Sequence, residues 1–265
     1  MGHPRMMGGN MPLILITNDD GIDSPGLVAL KQTLSRLGDV AVFAPAHSWS
    51  AAGHTKTMHK PMRVRRGALA DGSEAWVTTG SPSDCVALAL LGILDRRPDL
   101  VVSGINKGPN MGEDVTYSGT VAAAMEGVVS GIPAIAASVD GWEGWDFGPA
   151  ARVVEQVARE VLARGLPAGT LLNVNVPALP YEDLKGILVT RLGRRVYKDV
   201  LIERKDPRGE SYYWIGGDPP DGEPLDGTDF WAIKHGYVSI TPLKLDLTDY
   251  ALMESVRNWN LELAR

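Results

Sequence analysis

A single cysteine, Cys85, stands among 265 residues, which excludes an intrachain disulfide and fits a reducing cytoplasm. Positive charge is in short supply as well. Lys and Arg total 26 against 32 Asp and Glu, a formal net charge of −6, so a broad basic face for a nucleic-acid polymer is excluded. No apolar run approaches the roughly 20 residues of a membrane span. The opening MGHPRMMGGN lacks the apolar core of a signal peptide, and residues 1–11 read as a disordered leader. The five histidines and one cysteine show no metal-ligand spacing, which speaks against zinc. What is present is 44% hydrophobic and 22% charged residues, enough for one sizeable core.

From residue 12 apolar strands alternate with amphipathic helices. PLILIT (12–17), VAVFAP (40–45), EAWVTTG (74–80), DLVVSG (99–104), PAIAAS (133–138) and TLLNVNVP (170–177) read as strands. Helices are expected over 25–37, 81–94, 118–131 and about 148–164. Ser81 followed by Pro82, with Asp84 in the first turn, is a strong helix start. Such alternation predicts an α/β fold: a Rossmann-like, mostly parallel sheet with helices on both faces, spanning 12–190. Beyond it, 191–217 reads as a β-hairpin turning at Asp206-Pro207-Arg208-Gly209. A strand at 236–243 and a terminal helix at 249–264 complete an extension, 191–265, that suits subunit contacts rather than an independent domain.

In open parallel sheets ligands bind beyond the carboxyl ends of the strands. Asn18, Asp19, Asp20 and Gly21 follow the first strand, and the loop 44–57, with Ser48, Ser50 and His54, follows the second. INKGPNMGEDVTYSGT follows 99–104, bringing Asn106, Lys107, Asn110 and the helix start Ser118-Gly119-Thr120. Adjacent carboxylates repel, and a divalent cation relieves that repulsion. Carboxylate, amide and hydroxyl oxygens suit Mg²⁺, Mn²⁺ or Ca²⁺, and a glycine-bearing helix start suits phosphate. Together they point to phosphoryl chemistry with a metal-activated water. Each piece also has a plain structural reading. Asp-Asp-Gly is a common turn, Ser118 an ordinary N-cap, Cys85 a core residue, His54 a loop histidine with a local hydrogen bond, and Lys107 a solvated charge.

The motifs TNDDGIDSPGL (17–27), GSPSDCV (80–86), VSGINKGPNMGEDVTYSGTVAAAMEG (102–127) and GIPAIAAS (131–138) resemble the stationary-phase survival protein SurE family of metal-dependent nucleotidases. LNVNVP (172–177), DPRGESYYWIGG (206–217) and GTDFWAIKHGYVSITPLKLDLTD (227–249) extend the resemblance to about residue 250. It implies one divalent metal per subunit, Mg²⁺ or Mn²⁺, on Asp19, Asp20, Ser50 and Asn106. It further implies hydrolysis of nucleoside 5′- and 3′-monophosphates, with short polyphosphate a substrate of some members, and dimers or tetramers exchanging the C-terminal hairpin and tail. Trp49 stands where the family has glutamine before the metal serine, with Ser48 as the alternative ligand, and Ser81 replaces a threonine.

The expectation is a cytoplasmic 5′-nucleotidase with no membrane partner. Asp19 and Asp20 are the catalytic residues, and Asn18, Lys107, Asn110, Ser118, Gly119 and Thr120 hold phosphate or substrate. A haloacid-dehalogenase-type phosphatase would place its second aspartate two residues on. A nucleotide-sensing adaptor would bind without releasing phosphate.

Overall fold

The first strand, β1 (Leu13–Thr17), is buried at all five positions, as a strand covered on both faces must be. In a computed structural model that describes residues 11–141, 144–196, 199–217, 221–261 and 263, β1 lies near the middle of a nine-stranded sheet. The expected leader, apart from the exposed Met11, lies outside the described residues. β1 is flanked in parallel by β2 (Asp39–Pro45) and β5 (Leu100–Lys107). β4 (Glu74–Thr78) extends one side; β6 (Ala134–Asp140) and β7 (Thr170–Pro177) extend the other, all parallel. The chain thus leaves β1 in one direction and returns on its other side at β5, which makes the β1/β5 junction a topological switch point.

Alternation of side chains sorts the strands between two hydrophobic layers. Ile14, Ile16, Val42 and Val102 pack with α1 (Pro25–Leu34) and α4 (Gly148–Arg164). Leu15, Phe43 and Val101 pack with α2 (Pro82–Leu88) and α3 (Gly119–Val129). Helices therefore cover both faces, as the alternation predicts. Helix α1 ends at Leu34, three residues early, where the Ser35 hydroxyl donates to the Lys31 carbonyl at 2.7 Å. Helix α2 is also shorter than expected. It passes into a wide turn over 89–93, with Gly92 in a left-handed conformation that ends it.

Several elements go beyond the sequence reading. β3 (Val64–Ala68) pairs antiparallel with β4 at one sheet edge, and the exposed Arg65 and Arg66 at its centre concealed it. At the other edge β13 (Val238–Lys244) runs antiparallel to β7 and carries β8 (Ile187–Val189) beside it. The 191–265 segment therefore contributes a strand to the main sheet. The short pair β9 (Arg195–Val196) and β12 (Asp221–Gly222) and helix α5 (Asp229–Lys234) sit above the strand ends. The hairpin forms from β10 (Asp199–Lys205) and β11 (Ser211–Gly217), paired as a separate two-stranded sheet. Its turn is the expected one, with the Asp206 carboxylate accepting from the Arg208 and Glu210 amides. α6 (Tyr250–Arg257) is shorter than 249–264, because the chain leaves the helix at Asn258. Among the described residues no helix is long and apolar enough to cross a membrane.

Candidate active site

The carboxyl ends of β1 and β5 gather the acids. Asp19 is 6% exposed, and its Oδ1 accepts the Thr120 hydroxyl at 2.6 Å. Gly119 makes this approach possible: a Cβ there would lie 2.8 Å from Asp19 Cβ and 2.9 Å from its Oδ2. The start of α3 is thus in contact with the carboxyl group, as a helix N-terminus accommodates an acid. Asp20, half-buried, accepts the Lys107 backbone N–H at 3.3 Å, which ties the top of β1 to the top of β5. Gly21 makes the turn after the two acids, at φ +95° with its Cα hydrogen facing the His47 backbone.

Burial and repulsion raise the proton affinity of this pair. Desolvation is the main cause at Asp19, with the Asp20 charge adding to it against the Thr120 hydrogen bond, and its pKa is pushed up to about 6. Burial also raises Asp20 above the ordinary carboxylate range, opposed by the Lys107 amide and ammonium. Two desolvated acids, the deeper one raised by burial and by its neighbour's charge, match the electrostatic demand of a bound cation. Among the described residues no cluster of three or more His, Cys, Asp or Glu forms a metal-ligand set. Hydroxyl and amide oxygens must complete any coordination, and such an all-oxygen set fits a hard divalent ion.

Those oxygens are close by. The Trp49 amide donates to the Asp19 carbonyl at 2.8 Å, which brings the 46–57 loop beside the acids. Ser50 follows, exposed, with its hydroxyl 3.1 Å from that of Ser48. A register shift between Ser103 and Asn106 in the β5–β6 pairing re-aims the end of β5, as bulges beside functional sites do. Asn106 stands just past it, its Nδ2 donating to the Gly108 carbonyl at 2.8 Å. Ser50, Asn106 and Lys107 form one wall of a cavity of about 750 Å³. Its far wall includes Met111, Asp140, Arg195, Phe230 and Ile233.

The remaining expected residues divide. Asn18 is fully buried, its amide nitrogen closing the turn on the Gly21 carbonyl at 3.0 Å. Among the described residues its Oδ1 has no hydrogen-bond partner. Ser118 caps α3 by accepting the Val121 amide at 3.1 Å. Asn110 sits in a buried amide network: its Nδ2 donates to Ser138 at 2.8 Å, and its backbone bonds Asn173 and Asn175. His54 and Lys56 both reach Glu126.

The far cavity wall has no counterpart among the sequence candidates. Arg195 lies 2.9 Å from Asp114 and over the Phe230 ring. Asp229, fully buried, accepts the Gly112, Gly193 and Phe230 amides at 2.8, 2.7 and 2.9 Å and so fastens that wall. The signal available was Asp229 itself, an acid directly following the helix cap Thr228. Apart from the adjacent Phe230, the partners it joins lie 36 and 117 residues away.

Comparison with known proteins agrees with this geometry. The family model described as "Survival protein SurE" matches residues 14–199. The 5′-nucleotidase SurE of Chloroflexus aggregans is 54% identical over 253 residues, covering 94% of this chain and 99% of the relative. That of Herpetosiphon aurantiacus is 55% identical over 251 residues, with 93% and 98% covered. The crystal structure of the SurE protein from Aquifex aeolicus superimposes with a TM-score of 0.83 at 45% identity, covering 94% of this chain and 100% of that one. With the paired acids, the sheet order and the matched sequence in agreement, the chain belongs to the SurE family.

Proposed function

We propose that this chain hydrolyses nucleoside 5′-monophosphates to nucleoside and phosphate, using a divalent cation at the carboxyl ends of β1 and β5. The observation that carries the reading is the adjacent Asp19–Asp20 pair, whose buried member Asp19 has a raised pKa and sits against the start of α3. The relatives' name, 5′-nucleotidase, supports the substrate class.

Asp19, Asp20, Ser50 and Asn106 are the proposed metal ligands, with Mg²⁺ or Mn²⁺ the ion. When bound, such an ion polarises a phosphoryl oxygen and makes water a usable nucleophile at neutral pH. The chain's residues do the rest. Backbone N–H groups at Gly119 and Thr120, the latter also bonded to the Asp19 carboxylate, present the positive end of the helix dipole to phosphate oxygens. Ser118 holds that helix start in shape, and the exposed Lys107 adds positive charge at the rim. Asp20, with a raised pKa, is suited to take a proton from attacking water. Asn18 and Asn110 act by bracing the loops rather than by touching substrate. The cavity beside them, walled by Met111, Phe230, Ile233 and Arg195, takes the nucleoside.

3′-Monophosphates and short polyphosphate are proposed as further substrates, the cytoplasm as the compartment, and 12–190 as the catalytic core. The exposed hairpin and α6 are proposed to join subunits into a homodimer or homotetramer. The test is phosphate release from a panel of mononucleotides after EDTA treatment, with Mg²⁺ or Mn²⁺ returned. Release restored by either metal supports the reading; tight nucleotide binding with no release under any metal contradicts it.

A further inference from the structure

Helix α3 is buried along most of its length, and its one acidic residue, Glu126, is only 4% exposed. An unpaired carboxylate at such depth is costly. Glu126 instead takes two cationic partners from one loop: Lys56 Nζ at 2.6 Å and His54 Nε2 at 3.2 Å. Burial alone would raise its pKa, but these two partners hold it below the ordinary value.

The loop they come from carries Ser50. Around that residue the backbone is fastened at Trp49, to the Asp19 carbonyl, and at Gly53, to the Tyr117 carbonyl at 2.9 Å. Further on, the Thr55 carbonyl accepts Ser81, and Thr57 donates twice to Asp84. Ser50 itself is exposed, and among the described residues its side chain bonds the neighbouring Ser48. Ala51 beside it has φ +56°, a conformation uncommon for a non-glycine residue. Packing does not fix Ser50; the anchors on either side do. The same helix serves the other end of the site, because Thr120, two turns before Glu126, bonds Asp19.

We propose that Glu126 is a positioning residue for the metal site: through His54 and Lys56 it fixes the 46–57 loop to α3, and so sets Ser50 against the two aspartates. The inference rests on Ser50 being a metal ligand, as proposed above. One rigid helix then holds both sides of the coordination sphere, and releasing the loop weakens metal binding without removing a ligand.

Calorimetric titration of Mn²⁺ into the full chain separates this role from plain fold support. His54→Gln combined with Lys56→Met alters side chains that are 36% and 47% exposed but leaves the buried Glu126 carboxylate unpaired, so circular dichroism and thermal melting first establish that the variant is folded. Its dissociation constant should rise on the order of tenfold to a hundredfold, the usual effect of losing a group that orients a ligand. Glu126→Gln should do the same. Lys56→Arg, which keeps the ion pair, should stay within about threefold. Turnover of the double variant at saturating Mn²⁺ should likewise stay within about threefold, while the Mn²⁺ needed for half-maximal rate rises. If Ser50→Ala weakens Mn²⁺ binding and the folded double variant does not, Glu126 is structural only and the proposal is overturned. If Ser50→Ala also binds like wild type, the ligand assignment itself is wrong and the positioning role falls with it.

Discussion

The carboxyl ends of β1 and β5 and the C-terminal arm break opposite rules. At the strand ends, Asp19 is charged chemistry hidden from water, with a like charge beside it. On the arm, Leu201 (68%), Trp214 (61%) and Ile215 (80%) are apolar side chains left in water. A two-stranded hairpin is marginal by itself, and α6 presents Leu252, Met253 and Val256 in the same way. In the proposed reading the strand ends take something small and positive, and the arm something large and apolar. The first concerns chemistry and the second assembly, so the two should separate under mutation.

The largest effect is expected at Asp19→Asn. Losing several kcal/mol of charge stabilisation by the bound ion should lower phosphate release by about a thousandfold or more. Removing the buried repulsion should at the same time leave the metal-free melting temperature unchanged or raised. A variant with near-normal release would detach the chemistry from these strand ends.

Next comes pH. The folded pKa of Asp19, about 6, lies above the unfolded 3.8. Its contribution to stability is therefore fully present below about pH 4 and is lost as pH rises through 6. About two pKa units correspond to roughly 3 kcal/mol of penalty above that range in the metal-free chain. A bound cation competes with the proton and removes the penalty. The metal-induced rise in melting temperature, read by thermal shift, should be larger at pH 8 than at pH 5. Equal increments would sink the claim that the ion takes the place of Asp19's proton.

Gly119→Ala should act more mildly. Its Cβ must displace the Asp19 side chain, and overpacking of this kind costs about 1–3 kcal/mol. Steady-state assays should show turnover reduced roughly tenfold to a hundredfold, with the circular dichroism spectrum retained. The smallest catalytic effect is expected on the arm. Trp214→Ser with Ile215→Ser should shrink the assembly measured by light scattering, while turnover per chain changes about twofold, as for surface substitutions. Collapse of both together would show that the arm completes the site as well as the assembly.

The two regions also differ in how far they could be read in advance. The parallel strands were legible because residues such as those of LILIT must be apolar on both faces, and the paired acids because Ser50, Asn106 and the start of α3 follow neighbouring strands. The hairpin was legible from its Asp-Pro-Arg-Gly turn. β3 escaped because an edge strand tolerates Arg65 and Arg66 in water. The far cavity wall escaped because Arg195, Asp221 and Phe230 are brought together by the β9–β12 pairing and by the Arg195–Phe230 contact, neither of which is local in sequence. Glu126 lay in plain view as a lone acid in VAAAMEGVV, but its partners 70 and 72 residues away are set by the fold.

The most direct measurement is Mn²⁺ binding followed by electron paramagnetic resonance, comparing the wild-type chain with Asp19→Asn and Asp20→Asn near neutral pH. One tightly bound Mn²⁺ per chain in the wild type, with affinity reduced at least about a hundredfold in each variant, is the predicted result. Wild-type affinity in both variants would mean that the acids after β1 do not hold the metal.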